Sequence, residues 1–303
     1  MIHHVFATKS NIGDWLSAQA IQELISPVEV KEYFCDEPFV EQTLAGLSAA
    51  PPNEVIVIGG GGLFMDYFAP FWTGFLEVAG HRNFCIWGVG CCDLKQAESR
   101  VPEKLLSEIV SRSRLCFVRD DLTRAYLNKR TMHRAVPCPT MTIIEPTNSG
   151  GRGLLYADHY SLVGSTGYEE ISAISREFAR TTVREYRETD NQIAHGSEVA
   201  LAATLDLYRT SDVIVSSRLH GCIIGLAMGR KVVAVSGDRK VESFMTAAGL
   251  SDWVFNVDDL KSLSRGLCEL ENQETPWEFI RRVRSDNQAI ANQVKAMIAG
   301  PEC

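Results

Sequence analysis

Short apolar runs alternating with helix-period segments, on both sides of a glycine-rich break, predict an α/β protein of two halves, each a parallel sheet covered by helices. Three observations carry this. Val55-Ile56-Val57-Ile58 and Val213-Ile214-Val215 are continuous apolar runs of strand length, the pattern of strands buried on both faces. Glu145-Pro-Thr-Asn-Ser-Gly-Gly-Arg-Gly153 has the breaker composition of a domain linker. The 303 residues are long for one core and suit two of about 150. The expected division is 1–147 and 148–275, with 276–303 as a terminal helix packing back on the first half.

In chain order, the first half reads as strand over His3 to Thr8, helix over Trp15 to Ile25, and strands over Glu54 to Ile58 and Phe84 to Val89. Helix Lys104 to Ser113, strand Leu115 to Val118 and helix Leu122 to Lys129 complete it. The second half reads as strand Leu154 to Tyr160, helix Tyr168 to Arg180, strand Thr182 to Arg187 and helix Val199 to Thr210. Strands Val213 to Val215 and Lys231 to Val235 follow, with helices Cys222 to Met228 and Val241 to Ala248. Thr275-Pro276-Trp277-Glu278 opens the terminal helix as cap, first-turn proline and capping-box glutamate. Its face of Trp277, Ile280, Val283, Ile290, Val294 and Met297 is expected to be core.

The composition, 45% hydrophobic and 22% charged, is that of an ordinary globular chain. A formal charge of -8 argues against nucleic acid as a main partner, so an anion would need a local cluster of cations. The N-terminus lacks the basic and long apolar regions of a signal peptide, and no run approaches the roughly 18 to 20 apolar residues of a membrane span. Nine cysteines with no Cys-x-x-Cys read as reduced, mostly buried thiols, and the expected location is cytoplasmic.

The chemistry concentrates after the predicted strands. Ser216-Ser217-Arg218-Leu219-His220-Gly221 joins a buried strand to a helix, at the crest where free helix amides favour anions and ligands bind in parallel sheets. A permanent cation and a proton-transfer group placed there suggest phosphate chemistry. The competing reading makes Ser216 or Ser217 an N-cap, Arg218 solvated and His220 packed. Asn11-Ile12-Gly13-Asp14 occupies the corresponding place after the first strand, with Asp14 either a catalytic acid or base or the helix cap. Gly59-Gly60-Gly61-Gly62 allows close approach by a ligand or backbone. It is followed by no Gly-Lys-Ser/Thr and contains no Gly-x-Gly-x-x-Gly, which disfavours a nucleotide triphosphatase or nicotinamide enzyme. Arg119, at a strand end, either reaches an anionic ligand or pairs with Asp120 or Asp121. Lys240 is a candidate phosphate contact whose other reading is an exposed lysine. His3, His4, His81, His133, His159 and His195 have no metal-ligand spacing and are read as structural or exposed.

Asn11-x-Gly13-Asp14, Gly59 to Gly62, Val118-Arg119-Asp120, Ser217-Arg218-Leu219-His220-Gly221 and Lys240-Val-x-x-Phe244, in that order, resemble the polysaccharide pyruvyl transferase family. The match spans residues 11 to 249, and Ser211 to Leu250 is its specific part. The resemblance implies two Rossmann-like halves facing a cleft, similar to the B-type glycosyltransferases, and transfer of pyruvate from phosphoenolpyruvate to a sugar as a ketal in exopolysaccharide or cell-surface glycan synthesis. It implies His220 as catalytic residue and Arg218 as phosphoenolpyruvate ligand, with Arg119 carried over less directly. Charge and position add Lys240, Leu219, Gly221 and Ser217 to the donor site, Asp14 as second proton-transfer group, and Asn11, Gly13, Gly60 and Gly61 as points of backbone approach. No metal or cofactor is expected beyond the donor substrate. The acceptor is a sugar or lipid-linked oligosaccharide, which leaves a peripheral seat at the inner membrane open. The chain departs from the family where many members read Asp-Pro, with Cys138-Pro139-Thr140. The alternatives are a nucleotide-sugar-dependent glycosyltransferase of the same architecture and a catalytically silent sugar-phosphate binder.

Overall fold

The structure is a computed structural model and describes residues 1–95, 100–127, 134–147 and 150–299. The chain begins β1 (Ile2–Phe6), α1 (Ile12–Ile25), β2 (Val30–Phe34), α2 (Val40–Ala49), β3 (Val55–Gly59) and α3 (Ala69–Ala79). It continues β4 (Asn83–Val89), α4 (Glu103–Arg112), β5 (Leu115–Val118) and α5 (Asp121–Tyr126), then a 3-10 turn at Pro139–Thr142. The second half is β6 (Gly153–Ala157), α6 (Tyr160–Thr181), β7 (Glu185–Thr189), α7 (Glu198–Thr210), β8 (Ser211–Ser216) and α8 (Leu219–Ala227). After β9 (Lys231–Ser236), α9 (Arg239–Ala247), β10 (Val254–Asn256) and α10 (Lys261–Cys268) comes the long α11 (Trp277–Ala299).

Both sheets have five parallel strands, in the orders β2-β1-β3-β4-β5 and β7-β6-β8-β9-β10. The two halves therefore repeat one topology. In each, the strand order reverses direction between the first and third strands, at β1/β3 and at β6/β8. Connections leave those neighbours on opposite faces, which opens a crevice at the carboxyl rim.

The central strands are the apolar runs that the sequence marks: every residue of β3 and β6 is buried. The edge strands were harder to read. β2, Val-Lys-Glu-Tyr-Phe, is polar and partly exposed, so the rule for buried strands passes over it. The strand expected at Thr182 to Arg187 lies at Glu185–Thr189 instead. Val183 adopts φ 54° in the turn after α6 and is 80% exposed, so its apolar side chain belongs to no strand. Two positions of the helix expected over Leu122 to Lys129, His133, and Asn148 and Ser149 of the linker lie outside the described residues.

One apolar cluster joins the halves. Ile12, Trp15 and Leu16 of α1, with Cys138 and Met141 near the 3-10 turn, pack with Leu219, Ile223 and Met245 of the second half and with Phe279, Ile280 and Val283 of α11. Farther along α11, Ile290, Ala291 and Val294 pack on the first sheet with Ile2, Val57 and Trp87. Trp277, expected on the buried stripe, is 40% exposed at the helix start, while Phe279 takes the buried place. Among the described residues, no helix is long and apolar enough to cross a membrane.

Candidate functional site in the cleft between the sheets

A cavity of about 290 Å³ lies where the two carboxyl rims face each other. Asn11 and Asp14 enter it after β1, Gly62, Met65, Tyr67 and Phe68 after β3, Cys92 after β4 and Arg119 after β5. From the other sheet come His159 after β6, Asn191 after β7, Arg218, Leu219 and His220 after β8, and Lys240 after β9. Every lining residue thus follows a strand, as the geometry of parallel sheets requires.

The Arg218 crest is built by a serine turn. Ser216 Oγ accepts the Arg218 N–H at 3.1 Å and donates to the Arg218 carbonyl at 2.9 Å, which leaves Arg218 extended at φ -105° ahead of α8. Ser216 is not a side-chain cap of the helix, and Arg218 itself stands at the N-cap position. The Arg218 Nε–H donates to the Asp158 carbonyl, and the residue remains partly exposed in the cavity. Lys240 is no exposed lysine: its ammonium lies 2.8 Å from Asp238 Oδ2 and 3.1 Å from Cys92 Sγ. Arg119 satisfies both of its readings. It pairs with Asp120 at 3.3 Å and donates to the Cys91 carbonyl at 3.2 Å, yet it also lines the cavity.

His220 sits between the halves. Its imidazole covers Gly13 so closely that a Cβ at position 13 would fall on the ring. On its other side, Nε2 is 3.6 Å from the Cys138 thiol, which is also 3.3 Å from both Ser17 Oγ and Thr140 Oγ1. Cys138, the departure from the family pattern, therefore touches the histidine. Burial, followed by the fields of Arg119, Lys240 and Arg218, pushes the His220 pKa down to about 3, so the ring is neutral at physiological pH. Burial likewise lifts Asp14 to about 6, against the opposing pull of the same three cations. His159 is lowered to about 3 by burial, Arg218 and Lys240.

Several expectations change. Asp14 does not cap α1; Asn11 does, its Oδ1 accepting the Gly13 and Asp14 amides at 2.9 and 3.4 Å. Ser217 and Gly221 do not line the cavity. Ser217 is fully buried, and its Oγ accepts the His159 amide at 2.6 Å. Gly221 lies against Ser216 and Ala157, where a side chain would not fit between α8 and its sheet. Gly13, Gly60 and Gly61 are also behind the lining. Gly60 and Gly61, at φ 87° and 90°, make room for Ser17 and Asp14 side chains, where a ligand or backbone was expected.

The sequence missed His159, Asn191, Cys92, Met65, Tyr67 and Phe68. All follow strands, so the rule that found Arg218 applied equally to them, but their residue types announced nothing. Asn191 is fully buried at φ 59°, and its Oδ1 accepts from Tyr208 Oη at 2.9 Å. Among the described residues no group of three His, Cys, Asp or Glu side chains is placed to hold a metal ion.

The fold is found in solved structures at low identity. A Staphylococcus aureus protein, MnaA, solved with UDP, superposes with a TM-score of 0.57 at 10% identity, over 97% of this chain and 95% of that one. A putative UDP-N-acetylglucosamine 2-epimerase from Listeria monocytogenes gives a TM-score of 0.56 at 10% identity, over 98% and 95%. A Klebsiella pneumoniae protein of uncharacterised function gives 0.53 at 13% identity, over 83% and 89%. These likenesses establish the B-type, two-domain α/β architecture. Among curated proteins no sequence matches the chain. The family model for polysaccharide pyruvyl transferase matches residues 11–239, a span that begins at the Asn11 cap and runs past Arg218 and His220, and the chain belongs to that family.

Proposed function

We propose that the cleft transfers pyruvate from phosphoenolpyruvate to two hydroxyls of a sugar, forming a ketal and releasing phosphate in glycan synthesis in the cytoplasm. The observation that carries this is the convergence of Arg119, Arg218 and Lys240 with a neutral His220 in one cavity. The donor presents a carboxylate and a phosphate, and three cations around one cavity suit both, despite the acidic chain.

In this reading, one acceptor hydroxyl attacks C2 of the donor while His220 takes its proton. The C2–C3 double bond opens, and C3 accepts a proton from Asp14 to become the methyl group. The second hydroxyl then forms its bond to C2 and gives its proton to the Asp14 carboxylate as the C2–O bond to phosphate breaks, the electron pair leaving with phosphate, which takes up the proton held by His220. Cations around the leaving group offset its charge. The base is weak while the cleft is empty. Donor anions would neutralise the field that depresses His220, so its basicity would rise when the donor is in place.

Phosphoenolpyruvate is expected to raise the melting temperature more than UDP-glucose or GDP-mannose does, and incubation with sugar acceptors is expected to release phosphate with the mass gain of a ketal. Arg218→Ala should weaken donor binding, with poor rescue by Arg218→Lys, because an ammonium lacks the planar fork. His220→Asn should keep the donor bound and lower turnover about 100-fold or more. The neighbour solved with UDP favours nucleotide-sugar transfer as the second reading. Stabilisation by a nucleotide sugar alone would select it, and near-normal turnover of folded His220→Asn would remove the histidine from the chemistry.

A further inference from the structure

One polar atom in the cavity wall has nothing to bind. Asn191, after β7, lines the cavity and is fully buried. Its carbonyl accepts the Ile12 amide at 3.0 Å, its own amide donates to Thr189 Oγ1 at 3.1 Å, and its Oδ1 accepts from Tyr208 Oη at 2.9 Å. The carboxamide nitrogen, Nδ2, has no hydrogen-bond partner, and among the described residues no other residue of this cavity wall has a buried side-chain atom in that condition. Leaving a buried donor unpaired is costly. The backbone adds to the cost, because φ 59° is left-handed, a conformation that recurs in non-glycine residues where a ligand is clamped. The cations nearby fall into two groups. Lys240 Nζ is 3.1 Å from Cys92 Sγ, and a side chain at Gly62 would meet both that sulfur and Arg119 Nη2, so Lys240 and Arg119 stand around one thiol. Arg218 leans the other way, over β6 toward β7, where its Nε–H donates to the Asp158 carbonyl and where Asp190 and Tyr208, the neighbours of Asn191, act on its charge.

We propose that Asn191 is a specificity-determining residue of the donor site: its carboxamide N–H donates to the carboxylate of phosphoenolpyruvate beside Arg218, while the phosphate lies with Arg119 and Lys240. The inference rests on the pyruvyl-transfer reading and adds to it the direction in which the donor lies. Charge matching sets that direction. A phosphate dianion suits the two cations around Cys92, and a carboxylate monoanion suits one guanidinium with a neutral donor. The Nε–H of Arg218 is already engaged, so only its two terminal nitrogens are free to meet the carboxylate, whose remaining lone pairs need another donor. Asn191 Nδ2 is a donor with nothing else to bind. A phosphate without a carboxylate leaves it unpaired, so the contact discriminates for phosphoenolpyruvate and against simple phosphates.

The test is calorimetric titration of the full chain with phosphoenolpyruvate and with inorganic phosphate. Asn191→Gly keeps the left-handed backbone and removes the carboxamide. It should raise the phosphoenolpyruvate Kd about 10-fold or more and leave the inorganic phosphate Kd within about twofold. Asn191→Asp keeps the acceptor for Tyr208 and replaces the donor with an oxygen, so it should weaken phosphoenolpyruvate by at least as much. A third measurement uses the unaltered chain. The Asn191 side-chain amide signals, identified by their loss in either variant, should shift in proton–nitrogen NMR when phosphoenolpyruvate is added and stay in place with inorganic phosphate. An unchanged phosphoenolpyruvate Kd in folded Asn191→Gly, an equal loss of inorganic phosphate binding, or amide signals indifferent to phosphoenolpyruvate would each overturn the assignment. If the unaltered chain binds phosphoenolpyruvate and the variants bind it as well, this inference alone fails; if the unaltered chain does not bind it, the donor reading fails and takes this inference with it.

Discussion

Asp14 and His220 face one cavity with their ordinary acid strengths reversed, the carboxyl raised to about 6 and the imidazole lowered to about 3. Such separation marks groups held in the protonation states that proton transfer requires, a protonatable acid and a neutral base. It has a stability cost with a definite sign. Asp14 binds its proton more tightly in the folded chain than a free carboxyl does at its ordinary pKa of 3.8, so its contribution is fully present below that pH and is lost as pH rises through about 6. Asp14→Asn should therefore raise the melting temperature by a few degrees at pH 7.5 to 8 (roughly 2 to 4 °C per kcal/mol) while lowering turnover. Calorimetry across pH checks this, and a gain that persists at pH 3.5 would point to another cause. Cys138 offers a second test. A thiol beside His220 Nε2 does not stabilise an imidazolium as a carboxylate does. Cys138→Asp should move the acid limb of the kcat/KM profile upward by about one pH unit or more, whereas Cys138→Ser should leave it in place.

The starts of α1 and α8 meet across the interface, and the α8 histidine depends on a glycine of the first half. Gly13 in the first turn of α1 lies beneath His220 from α8, and Ile12 and Trp15 pack in the same cluster as Leu219 and Ile223. The glycine after the first strand therefore serves the histidine, not a ligand. Gly13→Ala should push the imidazole off its seat. Turnover is expected to fall at least about 10-fold with phosphoenolpyruvate binding retained, because Arg218 and Lys240 stand on other supports. Donor titration beside steady-state kinetics separates the two effects, and unchanged turnover would show that the ring relocates without loss.

Across the molecule, the halves are stitched on both sides of the cleft. Asp93, after β4, accepts from Arg239 at 3.2 Å, and its amide donates to the Asp238 carboxylate at 3.0 Å, joining the first half to the start of α9. On the other side, Ile12 N–H donates to the Asn191 carbonyl at 3.0 Å and Ile193 N–H to Ser10 at 2.8 Å. Underneath, α11 returns from the chain's end to the first half. Its buried Asn287 accepts from the Trp87 indole at 2.9 Å and donates to the Pro137 carbonyl at 3.0 Å. Asn287→Leu strands an indole N–H and a carbonyl in an apolar cluster, each costing about 1–3 kcal/mol. A fall in melting temperature of several degrees is expected by calorimetry, and a loss below about 1 °C would show that water replaces the amide.

Much was legible before any coordinates. Buried strands are written as apolar runs, and a parallel sheet puts ligands at their carboxyl ends, so Val213 to Val215 followed by Arg218 and His220 located one wall of the cleft from local pattern alone. The edge strand β2 and the shifted β7 were not legible, because exposure to solvent on one side removes the apolar signal. The long-range partnerships were equally hidden. Cys138 touches His220 across 82 residues, Trp87 meets Asn287 across 200, and Tyr67 finds Asp36 across 31. Local preference governs strands, turns and crests through interactions among near neighbours. Which crests face one another, and hence which side chains share a desolvated field, is set by the packing of α1, α8 and α11 between the two sheets, and no short window of sequence contains it.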